Sequence, residues 1–183
     1  MATALVIVDV QGDFCPGGSL ATTRGDEIAA KVAELISGEH GYTHVVATQD
    51  WHIDPGIHFS VNPDYTDTWP VHCVADTEGA AIREPINTSL IEAFFRKGEY
   101  TAAYSGFEGS AEGVPLAEWL RKQGVDTLDV CGIATDHCVR ATALDGLKEG
   151  FIVRVLRELC APVSEERGER ALHELENAGA TLA

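Results

Sequence analysis

Apolar runs of strand length alternate with segments of helical periodicity along nearly the whole chain, and this alternation restricts the fold more than any other feature. Thr3 to Val8 is a near-continuous apolar run, the pattern of a strand covered on both faces. From Asp26 to Ile36, the residues Ile28, Val32, Leu35 and Ile36 fall on one helical face. His44 to Thr48 reads as a second strand, and Ala93 to Phe95 as a weaker third ending near Lys97. Pro115 to Gln123 reads as a helix with proline near its first position and Gly124 just past its end. Asp126 to Gly132 is the next strand. Asp136 to Lys148 follows as a helix carrying Val139, Ala143, Leu144 and Leu147, and Phe151 to Leu156 is another strand. Ser164 caps a last helix with Glu165 and Glu166 in its first turn, Gly179 ends it, and Ala180 to Leu182 adds a short final strand. Such alternation predicts a parallel sheet with helices on both faces. A chain of 183 residues is expected to form one domain.

Residues 50–90 interrupt the pattern. They hold three histidines, two tryptophans and four prolines with no clear periodicity. A long irregular segment inside a compact domain is usually functional.

Charge and cysteine usage exclude several classes. Lys plus Arg number 13 and Asp plus Glu 29, a net charge of −16 that repels both a phosphate backbone and an anionic bilayer. No nucleic-acid or membrane partner is expected. No apolar run reaches the ~18 residues of a transmembrane helix. The N-terminus reads as strand rather than signal peptide. The five cysteines at 15, 73, 131, 138 and 160 are odd in number and scattered, which fits a reduced, cytoplasmic protein.

In open parallel sheets, ligands bind beyond the carboxyl ends of the strands. Asp9, Asp50, Lys97 and the stretch Ala134 to Cys138 all follow such ends. Cys138 falls in the first turn of the predicted 136–148 helix, where unpaired N–H groups and a partial positive charge favour a thiolate and an adjacent oxyanion. A carboxylate beside that thiol can take its proton, and a nearby lysine can hold the resulting charges. A second constellation is Asp50-x-His52 with His58 and His72. A carboxylate with imidazoles suits a divalent transition metal such as Zn, Mn or Fe. Cys73, beside His72, is also within reach of that set by spacing. Phe14, Trp51, Trp69 and Tyr104 supply aromatic walls suited to a small flat ligand.

These stretches resemble the isochorismatase-like cysteine hydrolases. The matching segments are Ile7 to Phe14, Thr48 to His52 with His58, Trp69 to Cys73, Lys97-Gly98 with Tyr104 to Phe107, and Gly132 to Val139. The Asp-x-His loop points to the branch acting on aromatic amides. The resemblance implies Asp9, Lys97 and Cys138 as a catalytic triad, and Asp50, His52, His58 and His72 as ligands of one divalent metal (Zn, Fe or Mn). It also implies a cis peptide between Ile133 and Ala134, aiming the N–H groups of Ala134 and Cys138 at one oxyanion. Phe14, Trp69, Ile133 and Tyr104 would line the substrate pocket. Two departures stand out: Gly12 where the family usually carries Asn, and Trp51, which in some relatives is Phe and is expected to reshape the pocket.

The expected architecture is therefore a three-layer α/β/α domain with a mostly parallel six-stranded sheet in the order 3-2-1-4-5-6. The expected activity is hydrolysis of a small aromatic carboxamide through a Cys138 thioester. Two other hydrolase readings stay open: an amidase for an N-carbamoyl compound, and a metal-hydroxide hydrolase with Cys138 a bystander. A nucleotide-binding module is disfavoured, because Gln11 to Gly18 carries no Gly-x-Gly-x-x-Gly. The oligomeric state is open.

Overall fold

The computed structural model describes residues 2–183. Six strands form a parallel array: β1 (Ala2–Val8), β2 (His44–Asp50), β3 (Ala93–Lys97), β6 (Val125–Ile133), β7 (Ile152–Ala161) and β8 (Thr181–Leu182). Two very short antiparallel strands, β4 (Ser110–Ala111) and β5 (Val114–Pro115), extend the β3 edge. The helices are α1 (Gly25–Ser37), α2 (Leu116–Lys122), α3 (Arg140–Lys148) and α4 (Glu165–Ala178).

The sheet thus has eight strands rather than six, in the order β5-β4-β3-β2-β1-β6-β7-β8. The difference from the expected order is the added hairpin. Each of its strands is two residues long, too short for alternation to register, and its turn is Glu112-Gly113 with both φ values positive, at 50° and 81°. β7 also runs further than expected. The pairing of β6 with β7 shifts register between Val130 and Gly132 and resumes at Cys160 and Ala161, beyond the point where the apolar pattern fades.

Successive residues of β1 feed opposite cores. Ala4, Val6 and Val8 join Leu116, Leu120, Val139, Ala143, Leu172 and Leu175 from α2, α3 and α4 and the turn before α3. Leu5 and Ile7 join Ile28, Val32 and Ile36 of α1 on the other face. Each such fully buried aliphatic side chain contributes about 1.5–3 kcal/mol. One helix cannot cover the second face alone. Cys73, Ala80, Ile86 and Ile91 of the irregular segment complete it, so the loop that carries the histidines is also part of the core.

Candidate active site

β1, β2 and β3 stop in register: Val8 pairs with Thr48, and Asp50 with Lys97. Val8 also pairs with Gly132 near the end of β6. Gly132 has φ +121°, and a Cβ there would lie 2.1 Å from the Val8 carbonyl oxygen, so only glycine lets β6 approach β1 this closely. Beyond it the peptide between Ile133 and Ala134 is cis. The chain then enters a turn wider than an α-helix, Thr135–Val139, in which the Ala134 carbonyl accepts from both His137 and Val139 N–H at 3.1 Å. This corrects the expected helix from Asp136: regular α-helix begins only at Arg140, and Cys138 sits in the π turn before it.

Asp9, Lys97 and Cys138, drawn from three distant parts of the chain, meet at this rim, all buried. Lys97 Nζ lies 2.8 Å from Asp9 Oδ2. It also donates to Asp50 Oδ1, to the Ala103 carbonyl at 3.2 Å and toward Cys138 Sγ at 3.8 Å. Asp9 Oδ1 accepts the Thr48 hydroxyl at 2.7 Å. Asp9 Oδ2 makes the ion pair with the Lys97 ammonium and has no other partner.

Burial dominates the proton affinities. It lifts the Cys138 thiol well above its ordinary value, the carboxylates of Asp9 and Asp50 adding to this and Lys97 opposing it. Burial likewise raises Asp9, with Lys97 opposing and Asp50 reinforcing. Burial works against the Lys97 ammonium, but Asp50 and Asp9 outweigh it and hold Lys97 charged. Burial and the two carboxylates thus favour the protonated thiol, against the pull of Lys97 and of the turn's N–H groups. A base whose own proton affinity has been raised stands beside the thiol.

The imidazoles of His52, His58 and His72 are buried, and one donor atom from each falls within 4.8 Å of the others. His52 Nδ1 lies 2.6 Å from the Gly98 carbonyl and His72 Nδ1 2.7 Å from the Pro70 carbonyl. Donating there fixes each tautomer and leaves the Nε2 lone pair free, as metal-binding histidines require. His52 Nε2 and His58 Nδ1 are buried without any partner. Asp50 Oδ2 lies 3.5 Å from His52 Nε2 and 3.7 Å from His72 Nε2. Burial, with the neighbouring imidazoles, pushes His58 down to about 4, keeping it neutral and able to donate a lone pair. One carboxylate and three imidazoles fit a divalent metal. Cys73 stands apart, its N–H donating to Asp13 and its thiol directed at the Gly79 carbonyl.

Cys138, Asp50, His58 and His72 line one cleft of about 430 Å³, mouth included, whose walls also include Phe14, Trp69, Tyr104, Ile133 and Ala134; Asp9, Lys97 and His52 are buried and are not part of its lining. Trp69 Nε1 donates to the Tyr104 hydroxyl at 3.0 Å. His137 contacts both rings, edge-on to Trp69 at 5.1 Å and stacked on Tyr104 at 6.1 Å. The Ala134 N–H has no protein acceptor among the described residues. Trp51 is a correction: it lies outside the cleft, beneath the Arg96 guanidinium at 3.6 Å. The reason is strand alternation, since Asp50 and His52 face the site and the residue between them faces away. Gly12 sits against the loop, where a Cβ would meet the Glu78 carbonyl oxygen at 2.5 Å, so asparagine does not fit without a shift.

Sequence reasoning missed several residues of the site, Thr22 and Ala103 of the cleft lining among them. Thr48 was legible, being two positions before Asp50 on the same strand face, and His137 is adjacent to Cys138. Leu20 and Val163 come from loops, and no local pattern marks them as cleft residues.

The Isochorismatase domain family matches residues 3–183. The chain belongs to this family. It is 54% identical over 180 residues to the nicotinamidase/pyrazinamidase of Mycobacterium tuberculosis, covering 98% of this chain and 97% of that protein. It is 37% identical over 200 residues to the nicotinamidase of Escherichia coli, covering 98% and 93%. Among solved structures, this isochorismatase-family chain is similar to the pyrazinamidase of Pyrococcus horikoshii in complex with zinc. There the TM-score is 0.85 at 40% identity, covering 100% of this chain and 99% of that one. PnC1 from L. infantum in complex with nicotinate gives 0.88 at 35%, covering 100% and 92%.

Proposed function

We propose that this protein is a metal-dependent nicotinamidase, hydrolysing nicotinamide to nicotinate and ammonia, and pyrazinamide to pyrazinoate, through a thioester on Cys138. The observation that carries the reading is the meeting of a buried carboxylate, ammonium and thiol beside a cluster of three imidazoles, at an aromatic-walled cleft. Similarity to nicotinamidases over nearly the whole chain supports the choice of amide.

In the first half-reaction Asp9 Oδ2 takes the proton of Cys138, and the sulfur adds to the carboxamide carbon. Lys97 holds the charge of the Asp9–Cys138 pair as it redistributes. The N–H groups of Ala134 and Cys138 receive the oxyanion. Asp9 then gives its proton to the departing nitrogen, the C–N bond breaks, and ammonia leaves a thioester. In the second half-reaction Asp9 takes a proton from water, whose oxygen adds to the same carbon. The C–S bond breaks, and the proton returns to sulfur as the acid leaves. Phe14 and Trp69 flank the ring, with Ile133 and Tyr104 completing the wall. Asp50, His52, His58 and His72 would hold the Zn, Fe or Mn ion, which when bound supplies a Lewis-acid centre for the ring nitrogen of the amide.

We further place the chain as a single hydrolase domain in the cytoplasm. No helix among the described residues is long and apolar enough to cross a membrane, and all five cysteines are free. Its partner is a small aromatic amide, and its acidity argues against nucleic acid.

Ammonia release from nicotinamide, with and without chelator and beside elemental analysis, tests the reading. Cys138→Ala is expected to abolish turnover while leaving bound metal unchanged. Near-normal release by that variant would refute the thioester route.

A further inference from the structure

We propose that Asp136 is a positioning residue that fixes one wall of the cleft by holding the loop after β7 against the catalytic turn, and that this wall selects the size of the amide ring. The inference rests on the amidase reading above and adds to it a determinant of specificity. Asp136 lies in the π turn two residues before Cys138, and its side chain is 2% exposed. Its carboxylate bridges to another element, with Oδ2 also 3.8 Å from the His137 Nε2 beside it. Oδ1 accepts the Val163 N–H at 2.9 Å, and Oδ2 accepts the Ser164 N–H at 3.2 Å and Arg167 Nε at 3.3 Å. Ser164 in turn caps α4, its hydroxyl accepting from the Arg167 N–H. One carboxylate therefore joins the turn that carries the nucleophile to the loop between β7 and α4.

Val163 matters because it lines the cleft. Yet it is 42% exposed, so burial does little to hold it. What defines its position is the main-chain bond to Asp136 and the one beside it at Ser164. The adjacent seam leaves no slack, since a Cβ at Gly168 would meet Pro162 Cβ at 2.7 Å. Removing the carboxylate leaves two main-chain N–H groups without their acceptor and frees Val163 to swing outward. A ring bound in an apolar pocket is sensitive to such a change, a missing methylene alone being worth about 10–200-fold in discrimination.

The test is steady-state kinetics on metal-loaded protein with nicotinamide and a ring-methylated nicotinamide, using Asp136→Ala, Val163→Ala and Arg167→Met. In Asp136→Ala and Val163→Ala, KM for nicotinamide is expected to rise about tenfold, kcat to change less, and preference for the bulkier ring to rise about tenfold. Arg167→Met keeps both N–H bonds and is expected to stay within about twofold of wild type, the ion pair being partly exposed. Should Asp136→Ala not fold, Val163→Ala, which leaves the Asp136 bonds in place, carries the ring-preference test. Unchanged ring preference in either the Asp136 or the Val163 variant overturns the proposal. So does an Arg167→Met variant that reproduces the whole effect. Wild-type protein inactive on nicotinamide refutes the amidase reading itself, an outcome distinct from these.

Discussion

Thr48→Val tests the acid–base logic of the site with the smallest change. Valine is nearly isosteric, so the core packing of β2 is retained, but Asp9 Oδ1 loses the 2.7 Å bond from the threonine hydroxyl. A hydrogen bond to a charged group is worth about 1.5–3 kcal/mol. It stabilises only the ionised carboxylate, and Thr48 is among the groups that lower the Asp9 proton affinity. At 1.36 kcal/mol per pKa unit, its loss should raise the apparent pKa of the base by about one to two units. Asp9 must be ionised to take the thiol proton, so the rate rises with pH through this pKa. The sign is therefore definite. The acid limb of kcat/KM for ammonia release should move to higher pH by about one to two units, with the loss of rate concentrated below the new limb. Thr48→Ser keeps a hydroxyl and should restore the limb. A uniform loss of rate at every pH with the limb unmoved would refute the assignment of Asp9 as the base.

Three further outcomes follow from the same geometry. Trp51→Ala should leave KM for nicotinamide within about twofold while lowering stability by about 0.5–1 kcal/mol for the lost cation–π contact and somewhat more for packing, read by kinetics and thermal melts; Trp69→Ala, in the cleft, should raise KM instead. Stripping the metal with chelator should lower Tm by roughly 8–16 °C if the metal is present at 1,000 times its Kd, the binding term being about 4 kcal/mol. Gly12→Asn should cost about 1–3 kcal/mol by urea denaturation, because the new Cβ falls 2.5 Å from the Glu78 carbonyl oxygen.

How much of this was legible follows from what each signal depends on. β1 was readable because both faces are buried and every position from Ala4 to Val8 is apolar. The end of α4 was readable because Gly179 takes φ 107°, which glycine favours. The β4–β5 hairpin was not, since two residues per strand carry no period. The rim residues Asp9, Asp50 and Lys97 were found because they terminate apolar runs, a local signal. Val163 was invisible, being placed in the cleft by a bond from Asp136 on another element. The burial of Cys138 was likewise not legible: its place at a helix start is local, whereas its burial is a property of the assembled core.

The two clusters of the site are one electrostatic unit, and the register of the sheet makes them so. Asp50 and Lys97 are direct partners on adjacent parallel strands. The Asp50 carboxylate faces both ways, with Oδ1 on the Lys97 ammonium and Oδ2 between the His52 and His72 nitrogens. Gln11 clamps that residue from the loop after β1, its amide donating to the Asp50 carbonyl at 2.8 Å and accepting the Asp50 N–H at 2.9 Å. These bonds fix the main chain of Asp50, while its carboxylate is held by the Lys97 ammonium. An ammonium shared by Asp9 and Asp50 must be held less tightly by each than by one alone, which leaves Asp9 basic enough to take a proton from a buried thiol. The carboxylate proposed as a fourth metal donor thus also tunes the proposed base, so substituting Asp50 should lower kcat for ammonia release as well as the metal content read by elemental analysis.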